Sequence, residues 1–151
     1  MIMIFKIIGG LLLVISCWGF GFYKSYEIKV KRDFLREIVL NLDKLQSEIR
    51  LCSGELFPIL KRTFNNEKIS LENKKFQISE KYIDRKNLQI LNKMIAILGT
   101  ADTLGECEKI EVYKGIFKKI CDEYEKKYTA DKKVWQTLGI SGGIAAALLI
   151  I

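Results

Sequence analysis

Two uncharged apolar runs, one at each end of the chain, constrain its fold more than anything between them. The first runs from Ile7 to Tyr23 behind a lone Lys6, and the second from Leu138 to Ile151 behind Trp135. A membrane-spanning helix needs about 20 apolar residues, with a range of about 17–25. The N-terminal run reaches that length, with Lys6 able to snorkel. Trp18, Phe20, Phe22 and Tyr23 crowd its end, where amphipathic rings favour an interface. A signal peptide would need a small-residue cleavage site, and Gly-Phe-Tyr-Lys-Ser-Tyr follows instead. The 14 residues from Leu138 to Ile151 cover only about 21 Å as a helix. That helix must recruit Val134 to Thr137, or pack closely through Gly139, Gly142, Gly143 and Ala145 to Ala147. The expectation is an N-terminal transmembrane anchor over 1–23, a helical domain over 24–133 and a short C-terminal transmembrane anchor over 134–151.

Charge sets an orientation for that layout. Of 25 Lys and Arg residues only Lys6 precedes the middle region, which also holds all 18 acids. Lys24, Lys29, Lys31 and Arg32 follow the first run, and Lys126, Lys127, Lys132 and Lys133 precede the second. The positive-inside rule then places the middle region in the cytoplasm and makes the chain a two-pass membrane protein. Cys17, Cys52, Cys107 and Cys121 show no paired spacing of a secreted scaffold.

The middle region reads as helices. Phe34, Ile38, Leu42, Leu45, Ile49 and Cys52 recur three or four apart, the helical period. Ser53-Gly54 stops that helix, and Glu55 to Phe64 forms a shorter one with Pro58 in its first turn. After a turn at Asn65-Asn66 the stretch to Ser79 is ambiguous, with Ile69, Leu71, Phe76 and Ile78 fitting a short helix only in part. Leu88, Leu91, Ile95 and Leu98 follow, with Gly99 as a C-cap. Thr103 with Glu106 makes a capping box for a long helix carrying Cys107, Ile110, Tyr113, Phe117, Ile120, Tyr124 and Tyr128. The fold class expected is all-α: an antiparallel cytoplasmic helical bundle flanked by the two transmembrane helices.

Signs of catalysis are missing. The chain has no histidine, the residue most used for proton transfer near neutral pH, and no Gly-Lys-Ser/Thr phosphate loop. The cysteines fall on apolar faces and read as packed thiols. No metal or cofactor is expected, and the chain is expected not to be an enzyme. Interspersed charges argue against nucleic acid, while the basic residues beside the runs suit anionic lipid headgroups. Glu106, Glu108 and Glu111, after the Thr103 cap, are the first candidates for docking a basic partner, with Glu48, Gly54 and Glu55 behind them.

The order of these features resembles the stage III sporulation protein AB family, components of the channel complex between mother cell and forespore in endospore-forming bacteria. The residues that carry the likeness are Leu45, Glu48 and Ile49 before Gly54, then Leu98-Gly99, Leu104-Gly105 and Leu138-Gly139. The chain departs from the family pattern at Glu108, Val112 and Glu55 to Pro58, which bears on partner contacts more than on fold. The resemblance implies a helical domain similar to the F-component domains of type II secretion systems. It implies a non-enzymatic membrane platform that docks the cytoplasmic secretion-type ATPase of the sporulation complex and other membrane components. That platform would sit in the outer forespore membrane, facing the mother cell. A homo-oligomer is open, and a membrane-tethered sensor or regulator that binds a small ligand is the alternative.

Overall fold

The computed structural model describes residues 2–51, 55–64 and 66–150, with the side chains near either end described in part. Four helices and a hairpin follow one another: α1 Ile2–Leu51, α2 Leu56–Thr63, β1 Ile69–Glu72, β2 Lys75–Ile78, α3 Arg85–Ile97 and α4 Thr103–Ile150. The chain divides into two compact units. One comprises Met1–Lys29 with Glu125–Ile151, and the other is Val30–Tyr124.

The larger unit is built on α1 and α4, which run antiparallel within it. The contacts between them pair Gln46 with Cys107, Asp43 with Lys114 and Arg32 with Cys121. On α1 the buried stripe is Phe34, Leu35, Ile38, Leu42, Leu45 and Ile49, at the three-and-four spacing of one helical face. It packs into one core with Ile59, Leu60 and Phe64 after Pro58, with Leu91, Met94 and Ile95 of α3, and with Cys107, Ile110, Phe117 and Cys121 of α4. Asp84, just before α3, accepts hydrogen bonds from Lys31 of α1 at 2.8 Å and from the Tyr124 hydroxyl of α4. One carboxylate therefore ties three helices. Gly99 follows α3 with φ +87, a left-handed conformation that costs glycine nothing and turns the chain towards α4.

The all-α expectation is corrected at residues 65–79. Ile69, Leu71, Phe76 and Ile78 lie on an antiparallel hairpin, not a helix, with Ile69 opposite Ile78 and Leu71 opposite Phe76. The alternation of apolar with polar residues is strict on both sides of Asn73-Lys74, which is the period of a strand. Asn73 and Lys74 both take positive φ, 51 and 60, the geometry of a two-residue turn that follows strand twist. Asn92 of α3 accepts a hydrogen bond from the Phe76 N–H at 2.7 Å and donates to its carbonyl at 3.4 Å. The open edge of β2 is thus satisfied by an amide side chain where a third strand would otherwise be needed.

The two transmembrane helices are corrected as well. Among the described residues no helix is long and apolar enough to cross a membrane. The helix α1 runs on unbroken from the apolar stretch through Lys24, Glu27, Lys29, Lys31, Arg32 and Asp33. The two-pass topology, the cytoplasmic orientation, the outer forespore membrane location and the lipid bilayer as a partner all depend on those anchors and fall with them. The platform that docks the ATPase, and the membrane-tethered sensor, fall for the same reason. Within the smaller unit, Gly21 lies directly against the Trp135 ring, where a Cβ would overlap it. That contact joins α1 to α4 in this unit, and only glycine permits it.

Candidate functional site

At the end of the larger unit, α2, the end of α3 and the start of α4 enclose a groove of about 460 Å³. Its apolar side chains are Ile49 from α1, Leu56, Phe57, Ile59 and Leu60 from α2, Ile95 from α3 and Leu98 just after α3. Glu55, Lys74 and Glu106 supply its charged groups.

Glu106 is placed by the turn that opens α4. Asp102, not Thr103, caps this helix, because its carboxylate accepts the Gly105 N–H at 3.1 Å. Glu106 reaches back beyond the cap, and its Oε1 accepts the N–H groups of Thr100 at 3.1 Å and Ala101 at 2.8 Å. The Lys109 ammonium donates to the same oxygen at 3.1 Å, and also to the Ile97 carbonyl and the Thr100 hydroxyl. Burial pushes the Glu106 carboxyl up; the amides of the Gly99–Ala101 turn and Lys109 outweigh it and hold the group below the ordinary carboxylate value. The residue is 4% exposed. Its second oxygen, Oε2, is buried without a hydrogen-bond partner, alone in this among the described side chains.

Of the remaining described candidates only Glu55 shares its groove. Glu108 points to solvent, since two residues along a helix is a turn of about 200°. Glu111 pairs at 2.5 Å with Lys114, which holds its carboxyl below the ordinary value. Glu48 accepts from Arg62 at 2.9 Å and from the Thr63 hydroxyl at 3.4 Å, joining α1 to α2. The Arg62 hydrogen bond is the main reason that its carboxyl is lowered. Glu55 is exposed at the start of α2 and lines the groove. Gly54 and Cys52 lie outside the described residues. The acids proposed as one docking face are therefore a groove residue, a solvated residue and a member of an internal ion pair.

Sequence reading missed Lys114. It is buried on α4 between Ile110 and Phe117, with its ammonium 2.9 Å from Asp43, 2.5 Å from Glu111 and 3.4 Å from the Gln46 amide oxygen. The Asp43 and Glu111 carboxylates raise its pKa, with Asp43 first. Gln46 also donates to the Cys107 carbonyl at 3.1 Å. The signal was there to find: in the stripe Cys107, Ile110, Lys114, Phe117, Cys121, a lysine stands at a core position of the helical repeat. Cys107 and Cys121 are free buried thiols, and among the described residues no group of His, Cys, Asp and Glu could hold a metal ion.

Against known proteins, the family model of stage III sporulation protein AB matches residues 68–151, more than half of the chain. No curated protein and no solved structure matches. The match begins at the hairpin and takes in α3, the Glu106 turn and the whole of α4. The chain belongs to the stage III sporulation protein AB family.

Proposed function

We propose that this protein acts by binding another protein during stage III of sporulation, and not by catalysis. One observation carries this reading: apolar side chains stand exposed in and beside an open groove. Phe57, 41% exposed, lines the groove itself, and Ile97 and Leu104, 40% and 72% exposed, are next in sequence to its lining residues Leu98 and Thr103. A folded domain rarely leaves such side chains together in water unless another surface covers them. The charges of the same unit are mostly committed within it: Asp43 and Glu111 to Lys114, Glu48 to Arg62, Asp84 to Lys31. This pattern suits a scaffold better than a reaction centre. The likeness to F-component domains of type II secretion systems belongs to the same reading, as a helical domain that works through contact with neighbouring subunits.

A photo-crosslinking residue at Phe57, compared with one at the exposed Lys119 of α4, tests the proposal in sporulating cells. Discrete protein adducts from position 57 and none from position 119 are expected. No adduct at 57, or the same adducts at both positions, would overturn it.

A further inference from the structure

We infer that the exposed face of α1 in the smaller unit pairs with itself: two copies of this chain pack α1 against α1 as an antiparallel coiled coil over residues 8–26. This face belongs to a different unit from the groove, so the inference does not rest on the role proposed for the groove.

The pattern comes first. Ile8, Leu12, Ile15, Gly19, Phe22 and Tyr26 follow one another at alternating spacings of four and three. That is the 3.5-residue period of a coiled-coil seam, narrower than the stripe of a helix packed into a core. The segment is one helix, so these positions form a line about 27 Å long at a rise of about 1.5 Å per residue. Its five large side chains are 51–70% exposed, and Leu11 and Tyr23 beside it are more than half exposed. The helix α4 meets α1 at Gly21, about 100° round the helix from Phe22, and leaves the line open. A Cβ at Gly19 would meet nothing within 4 Å. A continuous apolar strip of this size is a surface for another molecule, and its period specifies a helix.

Charge and area select a second copy. The chain carries a net +7, so two copies repel wherever basic surfaces meet. Residues 7–23 hold no charged side chain. Lys24 is two positions from both Phe22 and Tyr26, which turns it about 200° away from each. Two copies can therefore meet on this face without burying a charge or opposing two of one sign. An acidic or basic partner would find nothing here to pair with. Two such strips remove on the order of 1,200 Å² from water together, which reaches the size of a stable interface.

Gly19 sets the direction. In a parallel pair each residue faces its own counterpart, and a layer of two glycines would leave a void between the Ile15 and Phe22 layers, which is costly. An antiparallel two-fold pair centred midway between Ile15 and Gly19 sets Ile15 against Gly19, Leu12 against Phe22 and Ile8 against Tyr26. Symmetry repeats each contact, and every layer then joins a larger side chain to a smaller one, as interdigitation requires.

The test is sedimentation equilibrium of the full chain, where a reversible monomer–dimer equilibrium is expected. Leu12→Glu with Ile15→Glu should raise the dimer Kd at least about hundredfold. Leu40→Glu, at an exposed position of the larger unit, should leave it unchanged. Direction is read by mild oxidation of a mixture of Ile15→Cys and Gly19→Cys chains, with disulfides identified by peptide mapping. Those joining position 15 to position 19 should exceed those joining either position to itself several-fold. Neither the unaltered chain's equilibrium nor the cysteine mixing needs the glutamate variant, so a poorly folded L12E/I15E chain leaves the inference testable. A chain monomeric at every concentration, a dimer indifferent to the two glutamates, or a preference for the like-to-like disulfides would overturn it. So would a monomer that floats with phosphatidylcholine vesicles, which would assign the strip to lipid.

Discussion

Lys114 and Glu106 are both buried charges on α4, two turns apart, and the helix treats them differently. Lys114 sits at the waist of the bundle with Asp43, Glu111 and Gln46 all within reach of one ammonium. Glu106 sits at the end, with one oxygen crowded by donors and the other left without any. A charge withdrawn from water stays charged only if its neighbours replace the hydration it lost. At the waist that replacement is complete and comes from two helices, so the lysine acts as a structural tie. At the end it is half complete: one oxygen accepts three donors and the other, equally buried, none.

The largest effect expected from testing this contrast comes from neither charge. Phe117 is fully buried one turn after Lys114, and Phe117→Ala should cost about 3–5 kcal/mol in denaturant unfolding. That value sets the scale of apolar packing at the waist. Lys114→Met keeps the packed stem and removes the ammonium. Because the Asp43 and Glu111 side chains are about half exposed, water screens the loss, and about 1–3 kcal/mol is expected. A neutral or stabilising Lys114→Met would show that the tie contributes nothing, and the comparison would break there.

Glu106→Gln should cost less, about 1 kcal/mol, because an amide oxygen can still accept from the turn. A loss as large as that of Phe117→Ala would make Glu106 a core strut and remove the contrast with Lys114.

Acid sharpens the same comparison. The Glu48, Glu106 and Glu111 carboxyls all lie below their ordinary value of 4.5 in the folded chain. The unfolded chain binds those protons more tightly, so their stabilisation is present above about 4.5 and is lost as pH falls through the lower folded values. Lys114 is raised above its ordinary 10.5, so its contribution is complete below 10.5 and is lost as pH rises through its folded value. Denaturation midpoints should fall below pH 4.5 in the parent chain and fall less steeply in the triple variant Glu48→Gln, Glu106→Gln, Glu111→Gln. Identical acid profiles would refute the assignment. The smallest effect should come from Glu108→Lys, within about 0.5 kcal/mol of the parent, as an exposed residue without partners allows.

Much of this architecture was legible in the residues. The stripe Phe34 to Ile49, the break before α2, Pro58 in the first turn of α2, and Gly99 after α3 follow from helical period and local backbone chemistry. So does the N-terminal position of Glu106 on α4. The hairpin is legible too, in the alternation on either side of Asn73-Lys74, although four apolar residues also fit the helical period in part and leave the stretch ambiguous by spacing alone.

Other features could not be read from sequence, because they depend on groups far apart in the chain. Glu106, Glu108 and Glu111 are alike in type and close in order. Burial, solvent and an ion pair separate them only once α4 has neighbours. Lys114 is 71 residues from Asp43, and Asp84 is 53 from Lys31, so no local pattern could pair them. Sequence alone determined where helices start, stop and turn, since those choices are made by backbone sterics and apolar period over a few residues. Tertiary structure alone decided which charges are withdrawn from water and which are satisfied, because desolvation and its compensation are properties of the packed neighbourhood.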